Sequence, residues 1–120
     1  MRHRIKKFGH FKKKDRDHRN SMIRNLLTSF FLHKEIVTTE KRALTITAMI
    51  DKLINVVNTK DQVIAVREID TVLFTKASSL SLFATAPKLK GRKSGFSRIV
   101  PIKYRDGDSA KIVKLSLIEE

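Results

Sequence analysis

The pattern of apolar and polar positions changes at about residue 20. From there, apolar side chains return every three or four residues, which predicts an amphipathic helix with Asn20 or Ser21 as its N-cap. The apolar stripe of this helix consists of Ile23, Leu26, Leu27, Phe30 and Phe31. The short β-branched stretch "EIVTT" (Glu35–Thr39) follows and predicts a strand.

Three further stretches before residue 88 have helical spacing. The first begins at Thr39, ends at Asn58 and places Ala43, Ile46, Ile50, Leu53, Ile54 and Val57 on one face. The second is capped within Thr59–Asp61, and its apolar positions are Val63, Val66, Ile69 and Leu73. The third is the short segment "SSLSLFA", which Pro87 ends because proline cannot continue the helical hydrogen bonds. We expect Phe30, Phe31, Phe74 and Phe83, all on predicted helices, to lie in the core.

The last part of the chain predicts a β-hairpin. Strand spacing appears at Phe96, Val100, Ile102 and Tyr104. Pro101 lacks an amide hydrogen, so this strand should lie at a sheet edge or carry a bulge. An Asp-Gly turn in "RDGDS" leads to a partner strand with Val113, Leu115 and Leu117 on one face. The expected fold is α+β, with three to four helices packed on a small mixed sheet with a C-terminal β-hairpin.

Charge divides the chain differently from hydropathy. The net charge is +14, and residues 1–19 contribute +7 from nine Lys or Arg and two Asp. Residues 88–105 contribute another +7 without a single acid, whereas residues 20–87 hold eight bases and six acids. Residues 1–19 are therefore expected to form a basic, extended N-terminal arm that orders only on a partner, and residues 20–120 a single globular domain. This distribution favours a polyanionic partner.

Other classes of protein fit the sequence poorly. The chain has no cysteine, no apolar run long enough to span a bilayer, and no apolar stretch after its basic start of the kind found in a signal peptide. The histidines His3, His10, His18 and His33 lack the spacing of a zinc site. Asp15 with Asp17 and Asp106 with Asp108 could be proposed as magnesium ligands of a nuclease, but pairing with neighbouring bases and turn formation explain them. We therefore expect no enzyme activity, no cofactor, no metal and no small-molecule substrate.

The irregular placement of the positive charge favours folded RNA over DNA. A DNA reader usually presents base-reading residues on one exposed helix face, whereas these cations lie on an arm and a glycine-containing loop. Phe8 and Phe11 lie between the bases of the arm and could either stack on unpaired bases or pack onto the domain. A free nucleic-acid-binding regulator or nucleoid-type protein remains the alternative, and such a protein should dimerise.

Several short motifs, which follow one another in order along the chain, resemble those of the bacterial-type large-subunit ribosomal protein seventeen family. The matching pieces are "MRHR" at Met1, "HR" at His18, "RNL" at Arg24, "HKEIVTT" at His33, Pro87 and Arg92 with "SGFSRI", and "RDGDSA" at Arg105. The chain departs from the family's pattern after Thr39, where a lysine-rich K-A-K-E-L-R is usual, at Ser94 and Phe96, where glycine and tyrosine are usual, and at Pro101. It is therefore identified as a divergent member.

The resemblance implies a structural constituent of the large ribosomal subunit near the polypeptide tunnel exit. The implied partners are 23S-type rRNA and neighbouring large-subunit proteins, with no membrane, and the implied location is the ribosome of the bacterial cytoplasm or of an organelle. From the basic segments, the expected RNA-binding residues are Arg2, His3, Arg4, Lys6, Lys7, Lys12, Lys13, Lys14, Arg16, His18, Arg19, Arg24, Lys88, Lys90, Arg92, Lys93, Arg98 and Arg105. Gly91 and Gly95 should let the backbone approach a phosphate closely.

Overall fold

The computed structural model describes residues 15–118, which form four α-helices, one 3₁₀ helix and three strands. In chain order these are α1 (Arg16–His33), β1 (Glu35–Thr39), α2 (Glu40–Thr59), α3 (Gln62–Asp70), α4 (Lys76–Thr85), the 3₁₀ helix (Ala86–Leu89), β2 (Ser97–Tyr104) and β3 (Lys111–Leu117). The predicted α+β class is confirmed. Residues 1–14, which make up most of the predicted arm, lie outside the described residues, so the arm's extended form stays a prediction.

Helix α1 begins earlier than the apolar pattern indicates. Its N-cap is Asp15, whose carboxylate accepts a hydrogen bond from the His18 backbone N–H at 2.7 Å. The predicted cap at Asn20 or Ser21 is wrong, because the first turn is polar on every side and has no apolar periodicity to reveal it. The capping carboxylate stabilises this turn, since it satisfies a backbone N–H that has no partner within the helix. Residues 16–19 are therefore helical, whereas the sequence predicts that they belong to the extended arm.

The sheet has the strand order β1-β3-β2, and both pairings are antiparallel rather than mixed. Ile36, Leu115 and Ile99 form one row across the three strands and face the helices. Strand β2 is an edge strand, and its register shifts between Pro101 and Lys103. Both expectations for Pro101, an edge position and a bulge, are confirmed, and the predicted hairpin is present.

Most of the predicted core is confirmed. Buried positions include Ile23, Phe30, Ile46, Ile50, Leu53, Val113 and Leu115, while Leu26 is half-buried against them. Helix α3 is the main exception: it buries Ala65 and Ile69, whereas Val63 is 62% exposed and Val66 is also exposed. The predicted face of α3 is therefore partly wrong, because this nine-residue helix turns a different side to the core.

Apolar residues after α3 and along β2 also differ from expectation. Phe74 lies in the loop between α3 and α4 and is 48% exposed, so its assignment to the core is wrong. Val100, Ile102 and Tyr104 are exposed on β2, and Ile99 is the residue of this strand that packs on the core.

Pro87 lies within the 3₁₀ helix that extends α4, so the helical stretch continues past it. None of the helices among residues 15–118 is long and apolar enough to cross a membrane.

Candidate RNA-binding surface

The basic segment that runs from the end of the 3₁₀ helix to the start of β2, residues 88–98, is called the basic loop. Its cationic residues are Lys88, Lys90, Arg92, Lys93 and Arg98. Four of these residues are exposed, and Arg92 is half-buried. Leu89 is 3% exposed and Phe96 is fully buried, so the core fixes the loop near both of its ends. Lys90, Arg92 and Lys93 thus lie between two buried anchors, and Lys88 and Arg98 lie just outside them.

Helix α2 holds the backbone of the basic loop. The two carboxylate oxygens of Asp51 accept hydrogen bonds from the backbone N–H groups of Gly95 at 3.3 Å and Phe96 at 3.2 Å. The Asn55 side-chain amide donates to the Lys93 carbonyl at 2.9 Å. Asp51 and Asn55 are four residues apart and therefore share one face of the helix. Neither was singled out from the sequence, where the available signal was a polar pair at this spacing among apolar residues.

Hydrogen bonds within the loop complete its shape. The Arg92 backbone N–H donates to the Leu89 carbonyl at 3.1 Å, and the Arg92 guanidinium donates to the Gly95 carbonyl at 3.1 Å. Lys88, Leu89, Gly91 and Arg92 line a cleft of about 300 Å³. Gly95 has φ +70°, a conformation that side chains with a Cβ rarely adopt. A Cβ at Gly91 would meet no atom within 4 Å, so the chain is open to close approach from outside.

The expected RNA-binding residues on α1 divide into two groups. Arg16 and His18 are exposed in the first turn, and Arg19 is half-buried. Arg24 is used within the protein: its Nε donates to the Val72 carbonyl at 2.9 Å, and its guanidinium carbon lies 4.0 Å from the centroid of the Phe74 ring. This arrangement fastens α1 to the loop after α3. The Arg24 Nε is therefore not available to a phosphate, and an RNA contact by this residue stays a prediction.

Arg105 is paired with an acid of its own turn. Its Nε and one terminal nitrogen donate to the two Asp108 oxygens at 3.1 and 2.6 Å. Asp108 also accepts a hydrogen bond from the Ala110 backbone N–H at 3.1 Å. The hydrogen bonds from Arg105 and Ala110 lower the pKa of Asp108 to about 2, and the same pairing raises the pKa of Arg105. The positive charge of Arg105 is thus partly neutralised.

Eight of the expected residues cannot be located, because Arg2, His3, Arg4, Lys6, Lys7, Lys12, Lys13 and Lys14 lie outside the described residues. In the basic loop, Lys88 and Arg92 line the same cleft, and an RNA contact by any of the loop cations stays a prediction. Among residues 15–118, no group of three or more His, Asp or Glu side chains could hold a metal ion. Asp108, once considered as a metal ligand, pairs with Arg105 instead.

Comparison with known proteins identifies the family. Residues 22–118 match the family model described as Ribosomal protein L17. The chain is 36% identical over 103 residues to the large ribosomal subunit protein bL17 of Desulforudis audaxviator. This match covers 85% of this chain and 91% of the relative. It is 37% identical over 102 residues to bL17 of Desulfitobacterium hafniense, covering 84% and 90% of the two chains.

A further relative is the longer bL17 of Geobacter sulfurreducens, which is 35% identical over 104 residues. That match covers 86% of this chain and 59% of the relative. The family model begins within α1, at residue 22, and extends past the end of β3, so it includes the basic loop. The chain belongs to the ribosomal protein L17 family.

Proposed function

We propose that this protein is a structural constituent of the large ribosomal subunit that binds large-subunit rRNA through the basic loop and the arm. Its position near the polypeptide tunnel exit, beside other large-subunit proteins, is part of the same proposal. So is its location in a bacterial cytoplasmic ribosome, with an organellar ribosome as the alternative. The protein positions RNA and neighbouring proteins and carries out no chemical reaction.

The observation that carries the proposal is that four cations of the basic loop have no acidic partner among residues 15–118. Residues 88–105 contain seven Lys or Arg and no acid. Among residues 15–118, no acidic side chain pairs with Lys88, Lys90, Lys93 or Arg98. By contrast, two lysines of β3 are paired with acids: Lys111 with Glu40 at 2.9 Å and Lys114 with Glu35 at 3.0 Å. Cations on an ordered loop suit phosphate groups, which they can neutralise with release of counterions.

The first experiment measures the salt dependence of binding to an in vitro transcript of bacterial large-subunit rRNA. The loop variant combines Lys88→Ala, Lys90→Ala and Arg98→Ala; Arg92 is left in place because it supports the loop through the Gly95 carbonyl. Each lost phosphate contact should flatten the slope of log affinity against log salt by about 0.7–0.9. Deletion of residues 1–14 should flatten it independently.

The matched control removes two lysines and one arginine that are exposed outside the loop, with Lys41→Ala, Arg67→Ala and Lys76→Ala. This variant loses the same charge, so a purely nonspecific attraction would flatten the slope equally in both triple variants. We expect the loop variant to show the larger change. Equal slopes in the wild type and the loop variant would contradict the proposed role of the loop.

A second experiment separates the ribosomal function from that of a free regulator. In a sucrose gradient of cell lysate at moderate salt, the protein should sediment with the large ribosomal subunit. A free nucleic-acid-binding regulator would remain near the top of the gradient or sediment with DNA, and this outcome would contradict the ribosomal proposal.

A further inference from the structure

We propose that Asp51 and Asn55 of α2 are positioning residues for RNA binding, and that they hold the basic loop in the shape that presents its cations to phosphates. The inference rests on the proposed function, since it assigns a role to residues behind the RNA-binding loop. Neither residue is a cation, and neither is proposed to contact RNA. They act through the backbone of residues 93–96.

The geometry supports a positioning role at three points of the loop. Asp51 receives the N–H groups of two consecutive residues, Gly95 and Phe96, one on each carboxylate oxygen. Asn55 donates to the carbonyl of Lys93, two residues earlier. The three hydrogen bonds therefore fix the backbone around Gly95, where φ is +70° and the chain reverses toward β2. A turn fixed from the helix side leaves the opposite side of the loop for a ligand.

Both supports lie on a rigid element. Ile50, Leu53 and Ile54, the neighbours of Asp51 and Asn55 in α2, are at most 3% exposed, so the helix itself cannot shift without disturbing the core. The cleft lined by Lys88, Gly91 and Arg92 is connected to the held turn, because the Arg92 guanidinium donates to the Gly95 carbonyl. Loss of the Asp51 contacts should therefore loosen the cleft as well as the turn.

The proposal predicts an effect opposite in sign to that of simple electrostatics. Asp51 is an acid beside a basic loop, so its removal raises the net charge from +14 to +15 and should strengthen attraction to RNA if charge alone mattered. A positioning role predicts weaker binding. Without Asp51 the loop must be ordered when it binds, and the free energy that this ordering costs lowers the affinity. The direction of the change therefore separates the two explanations.

The experiment measures binding of the full chain to the same rRNA transcript. Asp51→Ala should weaken binding about 10-fold, which is about 1.4 kcal/mol of binding free energy, because the unsupported loop must then be ordered on binding. Asn55→Ala removes a single neutral hydrogen bond and should weaken binding about 3-fold. Asp51→Asn retains one acceptor oxygen and should recover part of the affinity lost in Asp51→Ala. Binding by Asp51→Ala that is as tight as or tighter than wild type would overturn the inference.

The matched control is Asp61→Asn, which removes the same charge from an exposed carboxylate that accepts no capping hydrogen bond in α3. It should bind RNA as the wild type does or slightly more tightly. In the free protein, amide exchange at Gly95 and Phe96 should accelerate in Asp51→Ala while the core amides keep their protection. A role in overall stability alone would instead lower the denaturation midpoint and leave the affinity of the folded protein unchanged, and that result would also overturn the inference.

The variant Asn55→Ala and the triple loop variant distinguish the remaining outcomes. If Asp51→Ala fails to fold, Asn55→Ala decides, and an unchanged affinity of that variant contradicts the inference. If the triple loop variant binds like the wild type, the role of the loop in the proposed function fails. If the triple variant binds weakly and Asp51→Ala binds normally, the positioning role fails alone.

Discussion

Two irregular segments that contain cations lie at the two ends of β2, and each uses a nearby aspartate in a different way. At the basic loop, Asp51 accepts backbone N–H groups. At the hairpin turn, residues 105–110, Asp108 instead pairs with the guanidinium of Arg105. An acid next to a basic segment can therefore organise the backbone and leave the cations available, or it can neutralise a cation. Net charge along the sequence does not distinguish these two uses.

The two segments also differ in their attachment to the core. The basic loop contains Leu89 and Phe96, both buried, whereas residues 101–109 are exposed throughout. The turn is held by its own backbone, with Arg105 N–H donating to the Ala110 carbonyl at 2.7 Å and Ser109 N–H to the Arg105 carbonyl at 2.9 Å. The loop should therefore depend on the tertiary fold, and the turn mainly on local interactions.

The largest difference is expected between removing an aromatic side chain from the basic loop and removing one from the end of β2, next to the hairpin turn. Phe96→Ala should lower the free energy of unfolding by about 3–5 kcal/mol, because the ring is fully buried and its loss leaves a cavity. Tyr104→Ala at the hairpin should change it by less than about 0.5 kcal/mol, since Tyr104 is 68% exposed. Urea denaturation of both variants measures the difference, and similar losses would mean that the core does not anchor the loop.

Alanine substitutions of glycine should show a smaller contrast within the loop. Gly95→Ala should lower the free energy of unfolding by about 1–2 kcal/mol, because alanine is strained at φ +70° although its Cβ would meet no atom. Gly91→Ala is the control: it has the same open surroundings without a positive φ, and stability should stay equal or rise slightly. Thermal unfolding measures both, and equal destabilisation would contradict this assignment of strain.

Release of Arg105 from Asp108 should add about one phosphate contact when the protein binds RNA. Asp108→Asn removes the ion pair, so Arg105 becomes available to a phosphate and the salt slope should steepen by up to about 0.9. Asp106→Asn changes the other carboxylate of the turn and serves as the control for charge. If both variants steepen the slope equally, the effect comes from net charge and not from the release of Arg105.

The smallest effect concerns acid stability. The folded-state pKa of Asp108 is about 2, below its ordinary value of 3.8, so its contribution is present above about pH 3.8 and is lost as the pH falls toward 2. The difference in urea midpoint between the wild type and Asp108→Asn should therefore shrink from about pH 6 to about pH 2.5. A difference that stays constant over this range would show that the pair does not act through ionisation of Asp108.

The fold was largely predictable because most elements depend on local patterns. Strand β1 has the predicted bounds, α2 begins one residue after its predicted start at Thr39, and the Asp-Gly turn forms the hairpin. The errors occur where local patterns carry little information. The first turn of α1 has no apolar periodicity, and α3 has apolar residues on several sides, so its buried face depends on how it packs.

The sequence by itself determined the segregation of charge, the helical and strand periods and the motifs of the ribosomal protein L17 family, because each of these depends on residue types and spacing along the chain. Only the tertiary structure decided which cations have partners. Arg24 is bound to Val72, and Arg105 is paired with Asp108. It also revealed that Asp51, 44 residues before Gly95, holds the basic loop. Such contacts depend on how separate elements pack, and the spacing of residues along one element does not specify them.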